Sequence, residues 1–329
     1  MAKFIVTGDW HFRGVNPRAR VDNFKESLVR KIHDVYALAR KHQVDAIIVP
    51  GDLFDSPGTA WGTAAELAVL LKVAPCPVLC IPGNHDLWAG NPGSKYRTPY
   101  GFLASLDIIK DLSANGFVDG HIYPALVSGH GFTIETDTAS GKGQFTPSGE
   151  YAQSYFHIHV VHSMLMDKSP GFDMRHTLIS QVETTAQVII SGHEHIGFGI
   201  KRRDDGVLFI NPGALARLSA HHAEIERQVQ VALLTVEGSK AEAELIPIKA
   251  ALPGHEVLSR EHLEAEASRN EMLERFLALL SSEGESKFLE VREIIEDISL
   301  RENIPAEVKA DALLRIGKAR EELGIREVG

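Results

Sequence analysis

Residues 4–11 read Phe4-Ile5-Val6-Thr7-Gly8-Asp9-Trp10-His11. The first four are apolar or β-branched, the pattern of a buried strand. Gly8 ends that run, and a carboxylate and an imidazole follow at once. The same grammar recurs three times. The apolar run 44–50 leads into Gly51-Asp52-Leu53-Phe54-Asp55, and the run 77–82 into Gly83-Asn84-His85-Asp86. The run 186–191 leads into Gly192-His193-Glu194-His195. Between the first three runs lie helical patterns over 22–42 and 59–72. A strand–helix alternation implies parallel strands, and parallel strands deliver their carboxyl ends to one sheet edge. Four distant clusters of carboxylate, amide and imidazole therefore converge on one place.

Further along, 99–115 reads as an amphipathic helix, 131–136 as short antiparallel strand, and the polar, Gly-rich stretch 138–150 as a loop. Runs at 198–203, 207–210, 228–237 and 242–249 read as a four-strand meander. Asn211-Pro212-Gly213 makes a tight turn, and 214–217 is suited to start a short helix. Residues 250–256, with Pro253-Gly254, read as a linker. Three amphipathic helices are expected beyond it, over 258–282, 285–300 and 306–323, with Pro305 at the start of the last. The expected division is a first domain over 1–249 and a helical region over 257–329.

The donor set decides the chemistry. Two divalent ions about 3.5–4 Å apart clamp the attacking and leaving oxygens of a phosphoryl displacement. Mixed nitrogen and oxygen ligation without thiolate suits manganese first, with iron, zinc or magnesium as other choices, rather than calcium. The four clusters supply Asp9, His11, Asp52, Asn84, His193 and His195, and one more histidine is needed. His162 is the choice, where the strand 155–161 runs out. His157 and His159 are its rivals, but strand alternation turns them onto the sheet face.

The order Asp-x-His, Gly-Asp-x-x-Asp, Gly-Asn-His-Asp, His, Gly-His-x-His resembles the calcineurin-like metallophosphoesterase superfamily over roughly residues 1–248. That resemblance implies a four-layer α-β-β-α sandwich, here with a helical appendage. It implies that Asp9, His11, Asp52 and His195 hold one ion and that Asp52, Asn84, His162 and His193 hold the other, with Asp52 bridging. It gives His85 the role of protonating the leaving oxygen. Gly51-Asp52-Leu53-Phe54-Asp55 is followed by Ser56-Pro57, not by the Arg-Gly usual in protein phosphatases. With Gly8-Asp9-Trp10-His11, it is similar to SbcD-type DNA nucleases. The loop from Val15-Asn16-Pro17-Arg18 to Asp22-Asn23-Phe24 resembles that branch too. Asp55 stands where eukaryotic and archaeal members carry a second histidine, as in bacterial ones.

The expected function is thus a DNA exo- or endonuclease subunit of a repair or recombination complex. Its C-terminal helices would cap DNA or dock on the coiled coil of an ATPase, and a homodimer is a further expectation. A nucleotide or cyclic-nucleotide phosphodiesterase is the rival enzyme. A non-catalytic binding scaffold is the rival from another class, and it would require a missing ligand where none is missing.

Composition bounds these readings. A formal net charge of −10 excludes a strong autonomous nucleic-acid binder. Basic residues nevertheless follow the clusters: Arg13, Arg18, Arg20 and Lys25; Lys95 and Arg97; Lys201, Arg202 and Arg203. Of these, Arg13, Arg18, Arg20, Lys95 and Arg97, with Arg217, are the expected phosphate contacts. No run of about 18 apolar residues exists to span a membrane. The chain enters a strand at Lys3, so a signal peptide is not expected. The only cysteines, Cys76 and Cys80, share one extended stretch and cannot bridge. A reducing cytoplasm is the expected compartment.

Overall fold

The computed structural model describes residues 1–113, 125–147, 156–261 and 304–322, together with Ile295 and Ser299. It divides into two compact units, Met1–Ser259 and Arg260–Gly329.

In the first unit, β1 (Ala2–Val6), β2 (Ala46–Val49), β3 (Val78–Cys80) and β4 (Lys110–Asp111) pair in parallel and in that order. Two antiparallel strands extend the β1 edge, β12 (Gln230–Glu237) and β13 (Lys240–Pro247), giving six strands in the order β13-β12-β1-β2-β3-β4. A second sheet has the order β10-β11-β9-β6-β5. Its members are β5 (Ala125–His130), β6 (Phe156–Ser163), β9 (Val188–His193), β10 (Gly199–Arg202) and β11 (Leu208–Asn211). Only its β10–β11 pair is antiparallel. A short parallel pair, β7 (Leu165–Met166) with β8 (Thr177–Leu178), stands apart.

Period-two alternation builds the layers. From the first sheet, Phe4, Val6, Ile48 and Leu79 face Ile158, Val160, Val188 and Ile190 of the second, and this is the core between the sheets. Their alternates, Ile5, Ile47 and Cys80, pack beneath α1 (Phe24–His42), α2 (Trp61–Lys72) and α3 (Pro99–Ser105). On the outer face of the second sheet, Val161, Ile189 and Phe209 pack against Phe145, Leu165, Ile179 and Val182. Among the described residues this fourth layer is made of 3-10 turns, Ala139–Phe145 and Ile179–Gln181.

Local chemistry explains the element ends. α1 begins where the Asn23 side chain accepts the Glu26 N–H, and it buries Leu28, Ile32, Val35, Tyr36 and Ala39 on one stripe. α3 is shorter than the expected 99–115, because the chain turns after Ser105 to supply β4. The expected strand at 131–136 is displaced: the strand is β5, and 131–136 is loop and turn. The expected meander is split, since β10 and β11 join the second sheet while β12 and β13 join the first. The short helix α4 (His222–Glu226) carries the chain between the sheets.

The first unit runs past the expected boundary at 249. Ala250 N–H donates to Asp34 Oδ2 at 2.6 Å, Val21 N–H to Val257 O at 3.1 Å, and Ser259 N–H to Ala19 O at 2.8 Å. Val257, in the short helix α5 (Gly254–Val257), and Leu258 are buried. Residues 250–256 are therefore bound into the first unit rather than strung as a linker. In the second unit, α6 (Ala306–Glu322) follows Pro305, whose carbonyl accepts from Val308 and Lys309. The helices expected over 258–282 and 285–300 lie outside the described residues apart from their edges. No helix among the described residues is long and apolar enough to cross a membrane.

Candidate metal centre

Asp9 and His11 follow β1, Asp52 follows β2, and Asn84 and His85 follow β3. His162 lies near the end of β6, His193 closes β9, and His195 follows it. All seven proposed ligand residues thus gather at the carboxyl ends of parallel strands. His162 shares its row with Ile158 and Val160, which face the other sheet. Alternation puts His157 and His159 in the opposite row. His159 is engaged there with Ser128 Oγ at 2.8 Å and Gln144 O at 2.9 Å.

Two groups of donors share one residue. Asp9, His11, Asp52 and His195 each bring a ligand atom within 4.8 Å of the others, and so do Asp52, His162 and His193. Asn84 Oδ1 lies 3.0 Å from His162 Nε2 and so joins the second group. Asp52 Oδ2 sits between them, 3.5 Å from His11 Nε2 and 3.3 Å from His162 Nε2. Its other oxygen, Oδ1, accepts the His85 N–H at 2.8 Å.

The atoms fit cations and little else. His162 Nδ1 faces the Pro50 carbonyl at 2.8 Å. A carbonyl only accepts, so Nδ1 carries the proton and Nε2 of the neutral ring turns a lone pair toward Asn84 Oδ1 and Asp52 Oδ2. His11 Nε2 and His195 Nε2 confront each other at 3.0 Å. Asp52 Oδ2 is buried with no hydrogen-bond partner. Lone pairs aimed at lone pairs in a buried place call for positive charge. A proton on His162 can meet the same demand, and the titration of these groups shows how strong that demand is. Burial alone would raise the Asp52 carboxyl, but the positive charge of His162 3.3 Å away, with His11 and His85 behind it, holds it well below the usual carboxylate range. Burial would lower His162, but the facing carboxylates of Asp52 and Asp9 push it up to about 9. His193, half-buried and beside His162, is driven down to about 4 by desolvation and by the His162 charge.

The loops accept strain to make this arrangement. His11, Asp52 and His193 all have left-handed backbone, with φ of 48°, 48° and 79°. Each such residue costs on the order of 1–3 kcal/mol, which the surrounding structure must offset. Glycines make the room. A Cβ on Gly51, whose φ is 108°, would lie 2.2 Å from His162 Nδ1, and one on Gly83 would lie 2.1 Å from Asp52 Oδ1. Each glycine thus clears space for a ligand from another cluster.

Several residues here had no role assigned from the sequence. Asp86 is buried, and its carboxylate accepts from Leu53, Phe54 and Gly83 N–H groups at 2.9–3.1 Å, tying the second cluster to the third. Burial and the Asp52 charge push Asp86 up to about 7 against those three donors. Asp55 reaches three ways: Oδ1 is 3.4 Å from His11 Nδ1, Oδ2 is 2.8 Å from Arg13 Nη1, and its carbonyl accepts from His85 Nδ1 at 2.8 Å. The Phe132 ring stands 6.1 Å from that of His162 and 5.8 Å from that of His193. Asp86 directly follows His85 in its cluster and Asp55 closes the Gly-Asp-x-x-Asp pattern, so each had a signal in the chain, whereas Phe132 had none.

The basic residues divide. Arg18 and Arg97 are exposed, and Arg13 is paired with Asp55. Arg20, Lys95 and Arg217 are buried, and the expectation that they touch phosphate is corrected. Arg20 clasps Asp22, Lys95 binds Asp111 and Ser113, and Arg217 binds the carbonyls of Leu252 and Arg227. The expected short helix at 214–217 is absent, because its backbone groups are bound to partners elsewhere in the chain.

Among solved structures, the protein TT1561 of Thermus thermophilus is 14% identical. Its match covers 74% of this chain and 98% of that one, with a TM-score of 0.45. A dimetal phosphatase from Danio rerio is 12% identical over 75% of this chain and 99% of that one, with a TM-score of 0.48. No curated protein matches this sequence. The family profile described as calcineurin-like phosphoesterase matches residues 2–197, a span that takes in every ligand named above and more than half of the chain. The chain belongs to the calcineurin-like phosphoesterase family and is a metal-dependent phosphoester hydrolase.

Proposed function

We propose that the chain is a two-metal phosphodiesterase that cuts DNA, a nuclease subunit of the SbcD type, with manganese as its ion. The observation that carries the hydrolytic reading is the placement of His85. Its ring lies 4.8 Å from that of His11, it is exposed, and it stands outside the two donor groups that share Asp52, although with His11 and Asp55 it forms a third cluster of donor atoms. The DNA reading is supported by the sequences of the first two clusters.

Divalent ions bound here supply Lewis-acid charge at the phosphoryl oxygens and lower the pKa of water. Asp9, His11, Asp52 and His195 would hold one, and Asp52, Asn84, His162 and His193 the other. The remaining work belongs to side chains. The Asp55 carbonyl keeps His85 Nδ1–H and aims Nε2 outward. To pass a proton from Nε2 while keeping Nδ1–H, His85 must start as imidazolium. It then protonates the departing sugar oxygen. The exposed Arg18 and Arg97 would meet the polymer backbone. Exposed Val308 and Leu314 on α6 offer apolar surface to a coiled-coil ATPase.

A second reading, hydrolysis of small nucleotide diesters, is favoured by the burial of Arg20, Lys95 and Arg217, which leaves fewer cations for a polyanion. The test compares labelled single- and double-stranded DNA with a generic nitrophenyl phosphodiester, in manganese, for wild type and Asp52→Ala. DNA degradation that depends on Asp52 is expected. Turnover of the small diester with intact DNA would favour the second reading. Affinity capture of an ATPase tests the partner.

A further inference from the structure

Buried cations crowd one short piece of irregular chain. Residues 214–217 form neither helix nor strand, so their backbone groups need partners from elsewhere. Their N–H groups reach the metal-ligand loops. Ala214 N–H donates to His195 O at 2.9 Å, and Leu215 and Ala216 N–H both donate to Asp9 O, at 2.9 and 3.2 Å. Their four carbonyls are each taken by a cation. Arg227 donates to Ala214 O at 2.7 Å and also to Ala216 O, Lys31 Nζ to Leu215 O, and Arg20 Nη1 to Arg217 O at 3.4 Å. Lys31 is 2% exposed, Arg20 7% and Arg227 9%.

This arrangement is costly. The carboxylates paired with the cluster are Asp22, 2.6 Å from Arg20, and Glu224, 3.2 Å from Arg227. Burial, with Arg20, Arg227 and Arg217 close by, pulls the Lys31 ammonium well below its usual range. Stability alone gives little reason to bury cations in excess of their anions, since apolar replacements of similar volume are often no worse. Rigidity gives one. A guanidinium fork fixes two carbonyls at once, and Arg227 spans Ala214 and Ala216 in this way.

We propose that Lys31 and Arg227 are positioning residues for the ligand group Asp9, His11, Asp52 and His195. They hold a splint, residues 214–217, whose N–H groups fix the backbone of Asp9 and of His195 relative to each other. The second group, with Asn84, His162 and His193, has no backbone bond to the splint; it meets the first through the shared Asp52 and through His193 N–H, which donates to the Asp9 carboxylate at 3.0 Å. The proposal rests on the assignment of Asp9 and His195 as ligands.

The test is manganese binding, read as two dissociation constants and a stoichiometry, alongside melting temperature. Lys31→Met and Arg227→Gln should weaken one constant about 10- to 100-fold, the usual effect of removing support behind a metal ligand, and leave the other unchanged. Repeating the titration in a His193→Gln background, which damages only the second group, should assign the loss to the first. Lys31→Arg should restore most of the affinity. If Arg227→Gln does not fold, Arg227→Lys, which keeps the charge but reaches a single carbonyl, should give the same selective loss in smaller measure. The proposal is overturned if the variants bind both ions like wild type. It is overturned equally if both constants move together with the melting temperature, which marks a purely structural role. Wild type that binds no manganese would bring down the ligand assignment itself. Wild type that binds two, with unaltered variants, would bring down this proposal alone.

Discussion

Gly83→Ala should cripple the centre although Gly83 is no ligand. The new Cβ would stand 2.1 Å from Asp52 Oδ1 and 2.4 Å from Asp52 N, where contacts under 3.0 Å are essentially never tolerated. The carboxylate must therefore retreat by about 0.9 Å. It cannot simply rotate away, because the Asp52 backbone is also too close and because Oδ1 holds the His85 N–H. A displacement of about 1 Å at a reacting centre costs roughly 10²-fold in rate, and forced overpacking costs about 1–3 kcal/mol in stability. The assay is kcat/KM on a nitrophenyl phosphodiester, with metal content and melting temperature measured on the same sample. Gly62→Ala is the control: it lies on α2 with nothing within 4 Å of the added carbon, and should stabilise by about 0.5–1 kcal/mol. Gly83→Ala with wild-type rate and metal content would refute the idea that this glycine exists to seat Asp52.

Three further outcomes are expected. His85→Gln should keep wild-type manganese content while losing about 10²–10⁴-fold in kcat; loss of an ion would mark it as a ligand instead. His159 is 3% exposed, and burial pushes it down to about 4. Its neutral ring contributes stability that is full above the unfolded value near 6.5 and declines as pH falls from there toward 4, by at most about 3 kcal/mol. Urea midpoints in EDTA at several pH values should show a shallower acid loss for His159→Gln, and parallel curves would contradict this. A chain ending at Ser259 should fold and hydrolyse a small diester, whereas one ending at Lys249 should lose stability, since fully burying a side chain such as Val257 or Leu258 contributes about 1.5–3 kcal/mol. Equal melting temperatures for the two truncations would show that 250–259 contributes nothing.

Much of the site was legible because its signals are local. Three clusters come shortly after their strands and the fourth begins at the end of β9, and alternation along β6 puts His162 in a different row from His157 and His159. What was missed depends on distant partners. Ala214-Leu215-Ala216-Arg217 has good helix-forming residues, but its N–H groups are claimed by Asp9 and His195 and its carbonyls by Arg20, Lys31 and Arg227. Charge alone did not show that Arg20, Lys95 and Arg217 are buried, because a basic side chain reads the same in sequence whether it meets water or a carbonyl. The four late strands were each found, yet neighbours in sequence need not share a sheet, and α4 carries the chain from one to the other. The apolar residues of 131–136 suggested a strand, while pairing with β6 selects 125–130 instead.

The central claim is that one carboxylate serves two ions. Counting manganese per chain by mass spectrometry, in wild type and in Asp52→Ala, tests it most directly. The account predicts two ions in wild type and none held tightly in the variant, because Asp52 Oδ2 belongs to both groups. Two ions retained in Asp52→Ala, or a single ion in wild type, would contradict it.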